Sequence, residues 1–124
     1  LYAGGKSMGG RMTSEAAAGE AIEGVRGLVF FGFPLHPAGR PGTERAAHLE
    51  NVGLRMLFLQ GTRDALADLT LLKPICDRLG SIARLTIIDG ADHAFHVLKR
   101  SGRTDSLVLK ELAAATALFV GKIS

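Results

Sequence analysis

Gly27-Leu28-Val29-Phe30-Phe31-Gly32-Phe33 is apolar at every position and carries one β-branched and three aromatic side chains. A strand with one wet face would alternate apolar with polar residues. An unbroken apolar run is what a parallel strand covered on both faces requires. Downstream, Pro34, Pro37, Gly39, Pro41 and Gly42 mark a long loop, with a short helical turn predicted over Arg45–Leu49. Arg55–Gln60 (RMLFLQ) is the next strand, ended by Gly61. Over Ala67–Leu79, residues Leu69, Leu72, Ile75, Cys76 and Leu79 fall three and four apart, which makes one face of a helix. Pro74 inside it is expected to kink or split that helix. Leu85–Ile88 (LTII) is the last strand and Asp105–Phe119 the last helix. Thr104 or Asp105 would cap that helix, and Leu107, Val108, Leu112, Ala115 and Phe119 would form its buried stripe. Upstream, Leu1–Gly4 reads as a strand end and Met8–Ala18 as an Ala-rich helix stopped near Gly19. This alternation predicts an α/β fold, a parallel β-sheet with flanking helices.

The 124 residues suffice for one domain. The chain opens on Leu1 and runs at once into a motif, so we expect part of a longer protein. A hydrophobic content of 47% argues for a buried core and against disorder. No apolar run reaches the ~18 residues of a membrane span, so no membrane partner is expected. The net charge of +3 is spread over scattered arginines, with no stripe or block of the kind nucleic acid selects. A single cysteine, Cys76, excludes an internal disulfide and a CxxC metal site. Its helical setting suggests a buried apolar role and fits a cytoplasmic location.

Gly5-Lys6-Ser7-Met8-Gly9 matches G-x-S-x-G between a strand end and a helix start. In that context the serine sits on a strained turn that lifts its Oγ above the sheet, and Gly5 and Gly9 are expected to avoid clashes there. The helix behind Ser7 favours developing negative charge, and the backbone N–H of Met8 is placed to donate to an oxyanion. Serine at its ordinary acidity needs a base within hydrogen-bond reach. A carboxylate and a histidine follow in the required order, each after a strand: Asp64 after RMLFLQ and His93 after LTII. His93 would act as base, while Asp64 would fix its tautomer and stabilise the imidazolium.

Each assignment has a rival. Asp64 could cap the next helix and Asp68 lies four residues on, but Asp64 is nearer the strand end. His96 follows His93 but lies beyond Phe95. His36, at the same sheet edge, either lines the pocket or is a loop residue held between prolines, and His48 is expected on the surface. Phe33, Leu35, His36 and Phe95 are the candidate substrate-contacting residues, each with core packing or loop structure as the plainer reading. Gly5-Lys6-Ser7 is also the tail of the phosphate-cradling G-x-x-x-x-G-K-[ST]. Residues 1–4, however, form an apolar strand end where a glycine-rich loop belongs.

With these residues in hand, the chain resembles the dienelactone-hydrolase-like branch of the α/β-hydrolase superfamily, and within it the subgroup of testis-expressed and chromatin-complex hydrolase-like domains. The resemblance rests on GGKSMGGRMTSEAA, RGLVFFGFPLHPAGRPGTERAAHL, MLFLQGTRDALAD and DGADHAFHVLKRSGRT, spread over nearly the whole chain. It implies that residues 1–124 are a single partial domain, the C-terminal half of an α/β-hydrolase fold. It also places nucleophile, acid and base on Ser7, Asp64 and His93, with no metal and no organic cofactor. The implied partner is a small-molecule acyl substrate, an ester, thioester or related compound. It further implies that strands preceding Leu1 supply a second oxyanion N–H. Without them the fragment is expected to be weak or inactive, with an apolar sheet edge that pairs with another chain, a second copy included. Two other functions stand beside the hydrolase: a catalytically silent binding domain, since a fold does not guarantee its chemistry, and a nucleotide-binding protein.

Overall fold

Four strands form where the apolar runs place them, and they lie in one sheet in sequence order. The structure is a computed structural model that describes residues 1–20 and 23–123. Its elements are β1 (Tyr2–Lys6), α1 (Met8–Gly19), β2 (Gly27–Phe31), β3 (Arg55–Gly61), α2 (Leu69–Leu79), β4 (Ala83–Ile88) and α3 (Asp105–Ile123). A 3₁₀ segment, Glu44–Asn51, stands where the short helical turn was expected. The sheet runs β1-β2-β3-β4 and every pair is parallel, with Tyr2 beside Gly27, Gly27 beside Arg55 and Met56 beside Ala83.

The pleat sends alternate side chains to opposite faces, so an unbroken apolar strand feeds two cores at once. Leu28, Phe30, Met56 and Phe58 pack with Ala17 of α1 and with Leu72, Ile75 and Cys76 of α2. Val29, Leu57, Leu59 and Ile88 pack with Val108, Leu112 and Phe119 of α3. Helices therefore cover both faces, which places the loops at the strand C-terminal ends along one open edge.

Several boundaries shift for local reasons. β2 stops at Phe31 because Gly32 takes φ 75°, a conformation that leaves the ladder. α2 begins two residues later than predicted because Asp68 caps it, its Oδ1 accepting from the Thr70 N–H at 2.9 Å. The helix then runs through Pro74 without being split in two. The carbonyl that Pro74 leaves without a donor belongs to Thr70, an exposed first-turn residue that water can reach. Thr104 caps α3 by accepting from the Leu107 N–H at 3.1 Å. Leu107 itself is 48% exposed, so it leaves the predicted stripe, while Val108, Leu112 and Phe119 hold it. No described helix is long and apolar enough to cross a membrane.

Candidate active site

β1 hands over to α1 through a single residue. Ser7 takes φ 54° and ψ −120°, a region that a residue with a Cβ occupies only under constraint. The constraint is visible on both sides. The Ser7 N–H donates to the Phe31 carbonyl at 2.9 Å, tying the turn to β2. Gly5 and Gly10 close against each other: a Cβ at 5 would stand 2.6 Å from the Gly10 nitrogen, and one at 10 would stand 2.8 Å from the Gly5 oxygen. Gly9, expected to be indispensable, has nothing within 4 Å of its would-be Cβ. The close approach belongs to Gly10, one residue later.

A serine at a helix N-cap usually spends its hydroxyl on the helix. Ser7 does not. Its Oγ lies 2.7 Å from Nε2 of His93, and Nδ1 of the same ring lies 2.8 Å from Oδ2 of Asp64. The structure thus brings together the three residues that order and strand ends singled out. The Asp64 side chain is fully buried and that of His93 is 24% exposed. A carboxylate only accepts, so Nδ1–H donates to Asp64 and Nε2 is left to accept the Ser7 proton. Met8 opens α1, and its N–H is one of the first-turn donors that no helical carbonyl can satisfy.

Both partners are held from behind. Asp64 Oδ1 accepts from the Leu66 N–H at 2.8 Å, and Oδ2 accepts from Nε2 of Gln60 at 3.2 Å. The His93 loop is built on Asp92, whose Oδ1 accepts from the N–H groups of Ala94 (3.0 Å) and His96 (2.9 Å). Phe95 then takes φ 64° within this turn. The loop lies directly on the ends of β2 and β3. A Cβ on Gly61 would stand 2.1 Å from the Ala91 oxygen, and one on Gly32 would stand 3.3 Å from Nδ1 of His93.

The rivals are occupied elsewhere. Asp68 caps α2. His96 pairs with Asp105 at 2.7 Å on the surface. His36 is buried, its Nε2 accepting from the Asp68 N–H (2.9 Å) and its Nδ1 donating to the Pro37 carbonyl (2.8 Å). It borders a cavity of about 390 Å³ beside the Asp64 loop, but both ring nitrogens are committed to the loop itself. Phe33 and Leu35 are fully buried in the core, Phe33 against the rings of Phe30 and Phe58 at 5.4 and 5.8 Å, so neither offers surface to a ligand. Phe95 borders a second cavity of about 360 Å³ with Lys6, Phe31 and Leu112.

His48, expected at the surface, is half-buried against Ser14, with Nε2 2.6 Å from Oγ. The hydroxyl's single proton goes to the Arg11 carbonyl at 2.6 Å, so His48 must donate to Ser14 and cannot act as its base. Burial holds the His48 imidazole below its ordinary value, with Glu15 opposing and Arg11 adding. Burial likewise pushes the Cys76 thiol up to about 11, which leaves it protonated and unreactive at neutral pH. Lys6 sits in a paired strand, beside Phe31 of β2, so Gly5-Lys6-Ser7 is not the tail of a phosphate-cradling loop. The nucleotide-binding reading is thereby corrected. Among the described residues, no group of three or more His, Cys, Asp and Glu is placed to hold a metal ion.

Sequence reasoning missed Gln60, Asp92 and Gly10. A polar residue closing the run RMLFLQ, buried among apolar neighbours, was the available signal for the first.

A family model described as "Alpha/beta hydrolase domain" matches residues 1–121. Two solved structures share the fold. An alpha-beta serine hydrolase homologue from Coxiella burnetii aligns at 22% identity and TM-score 0.61, over 88% of this chain and 47% of its own. A predicted CIB-like hydrolase from Thermoplasma acidophilum aligns at 20% identity and TM-score 0.61, over 93% and 48%. The chain spans about half the length of the solved structures it matches.

Proposed function

The chain belongs to the alpha/beta hydrolase domain family, and from that premise we propose that it is a serine hydrolase acting on an ester, thioester or related acyl substrate. One observation carries the proposal: Ser7 Oγ, the His93 ring and the buried Asp64 carboxylate stand in one hydrogen-bonded line of 2.7 and 2.8 Å. In this reading His93 Nε2 takes the Ser7 proton as Oγ attacks the acyl carbon. The imidazolium is stabilised by Asp64 and then delivers the proton to the leaving group. The negative charge on the tetrahedral intermediate falls beside the Met8 N–H, at the positive end of α1. Water, deprotonated by the same imidazole, then releases the acyl group from Ser7.

The reading extends to the dienelactone-hydrolase-like branch, a cytoplasmic location and a small-molecule substrate without a cofactor, on the strength of the motifs and the lone buried cysteine. Because the chain spans about half of its structural neighbours, we place the chain by itself among slow hydrolases. Absence of one oxyanion donor alone costs ~10²–10³ in rate.

A fluorophosphonate probe tests the proposal. Ser7 is expected to be labelled, and Ser7→Ala to abolish labelling while leaving the melting temperature close to that of the parent. No labelling of a folded chain would favour a silent binding domain instead. With p-nitrophenyl acetate, turnover well below that of a full-length hydrolase is expected, falling to background in Ser7→Ala.

A further inference from the structure

We infer that Gln60 is a positioning residue for the Ser7–His93–Asp64 line, an inference that rests on the hydrolase reading. Gln60 is the penultimate residue of β3, with its side chain fully buried and both ends of its carboxamide engaged. Its Oε1 accepts from the Phe33 N–H, which fixes the orientation of the group and turns the NH₂ toward Asp64. Nε2 then donates at 3.2 Å to Oδ2, the same oxygen that faces Nδ1 of His93 at 2.8 Å.

The two anchored points are the two that His93 depends on. Asp64 holds one ring nitrogen. The residue before Phe33 is Gly32, where even a Cβ would stand 3.2 Å from the His93 carbonyl oxygen and 3.3 Å from Nδ1. One amide therefore clamps the end of β2, which lies against the imidazole, to the carboxylate that orients it. β2 and β3 already share a ladder up to Phe31 and Leu59. Gln60 extends the tie past the point where Gly32 leaves it, and a hydrophobic side chain could fill the volume without making the tie.

The charge type matters as much as the shape. A neutral donor holds Oδ2 without competing for His93. A carboxyl at position 60 could copy both bonds only while protonated, accepting from Phe33 and donating to Asp64. Once ionised it would oppose Asp64 oxygen to oxygen.

Gln60→Met and Gln60→Glu are therefore compared with the parent chain by fluorophosphonate labelling rate across pH, melting temperature and the downfield ¹H resonance of His93 Nδ1–H. Gln60→Met is expected to slow labelling roughly 10- to 100-fold, as misplacement of a reacting group does, with little change in the probe concentration giving half-maximal rate. Gln60→Glu is expected to label near the parent rate at low pH and to fall away as pH rises, where the parent does not. Should Gln60→Met fail to fold, recovery of Gln60→Glu at low pH still supports the inference. Parent-like labelling, pH profile and Nδ1–H resonance in both variants would overturn it. Losses that merely track unfolding, with the profile shape unchanged, would overturn it too. If the parent itself never labels, yet Gln60→Met loses the resonance, the hydrolase reading fails and the positioning stands.

Discussion

Gly32 shows how little room the site leaves at the level of single atoms. Its φ of 75° already disfavours any side chain, by ~1–2 kcal/mol. A methyl there would also press on the imidazole at 3.3 Å. Gly32→Ala is therefore expected to slow Ser7 labelling by more than its drop in stability accounts for, measured on the same preparations. Gly9→Ala is the control: with open space around it and a helical position that favours alanine over glycine by up to ~1 kcal/mol, labelling and melting temperature should hold or rise. A Gly9→Ala variant as impaired as Gly5→Ala would contradict this account of the turn. Ser7, Asp64 and His93 were legible because each is announced locally, by a strand ending just before it and by chain order. Gln60 was not, because its two partners lie 27 residues upstream and four downstream. No local pattern distinguishes Gly9 from Gly10 when the discriminating contact is the carbonyl of Gly5.

At the level of elements, the His93 loop is fastened to α3 by the exposed pair of His96 and Asp105. Asp105 Oδ2 meets His96 Nδ1 at 2.7 Å and Oδ1 accepts from the Val97 N–H at 3.0 Å. The hydrogen bond and charge of Asp105 raise His96 above its ordinary 6.5. The hydrogen bond from His96, with that from Val97, holds Asp105 below its ordinary 3.8. A raised histidine contributes stability that is complete below 6.5 and is lost as pH climbs through its folded value. A depressed carboxylate contributes stability that is complete above 3.8 and is lost as pH falls. The clamp is thus strongest between those limits. His96→Ala should lower the melting temperature most near pH ~5 and progressively less above neutrality, by a small margin because the pair is exposed. A difference that persisted undiminished at alkaline pH would exclude the ion pair as its cause. Elements themselves were readable where packing on two faces writes an unbroken apolar run, as at Gly27–Phe31 and Met56–Leu59. Leu107 misled because apolar periodicity says nothing about where a helix's contact with the sheet ends.

For the molecule as a whole, the two cores and the strand order set what can and cannot vary. Phe33 and Leu35 were expected at the pocket because strand C-terminal ends gather ligands in α/β folds. The Gly32 turn instead folds them back into the core shared by β2, β3, α1 and α2. Leu35→Ala should accordingly cost ~2–5 kcal/mol in urea unfolding with no change in relative rates among acyl esters; altered ester preference at unchanged stability would return Leu35 to the pocket. Among the described residues, β1 stands at one end of the strand order, next to β2. Met8 and Met12, one turn apart on the helix that packs over it, are each 53% exposed, and Leu1 is more so. A terminal strand covered by a helix with exposed apolar side chains is a place where a second copy can add its own strand. At the other end of the order, β4 exposes both Arg84 and Ile87. Sedimentation velocity should therefore show the 124-residue chain shifting to faster species as concentration rises. Met12→Lys, which sets a charge on the exposed face of α1 without touching either core, should move that onset to higher concentration. A chain that stays monomeric throughout, with and without the lysine, would mean that β1 takes no strand from a second copy.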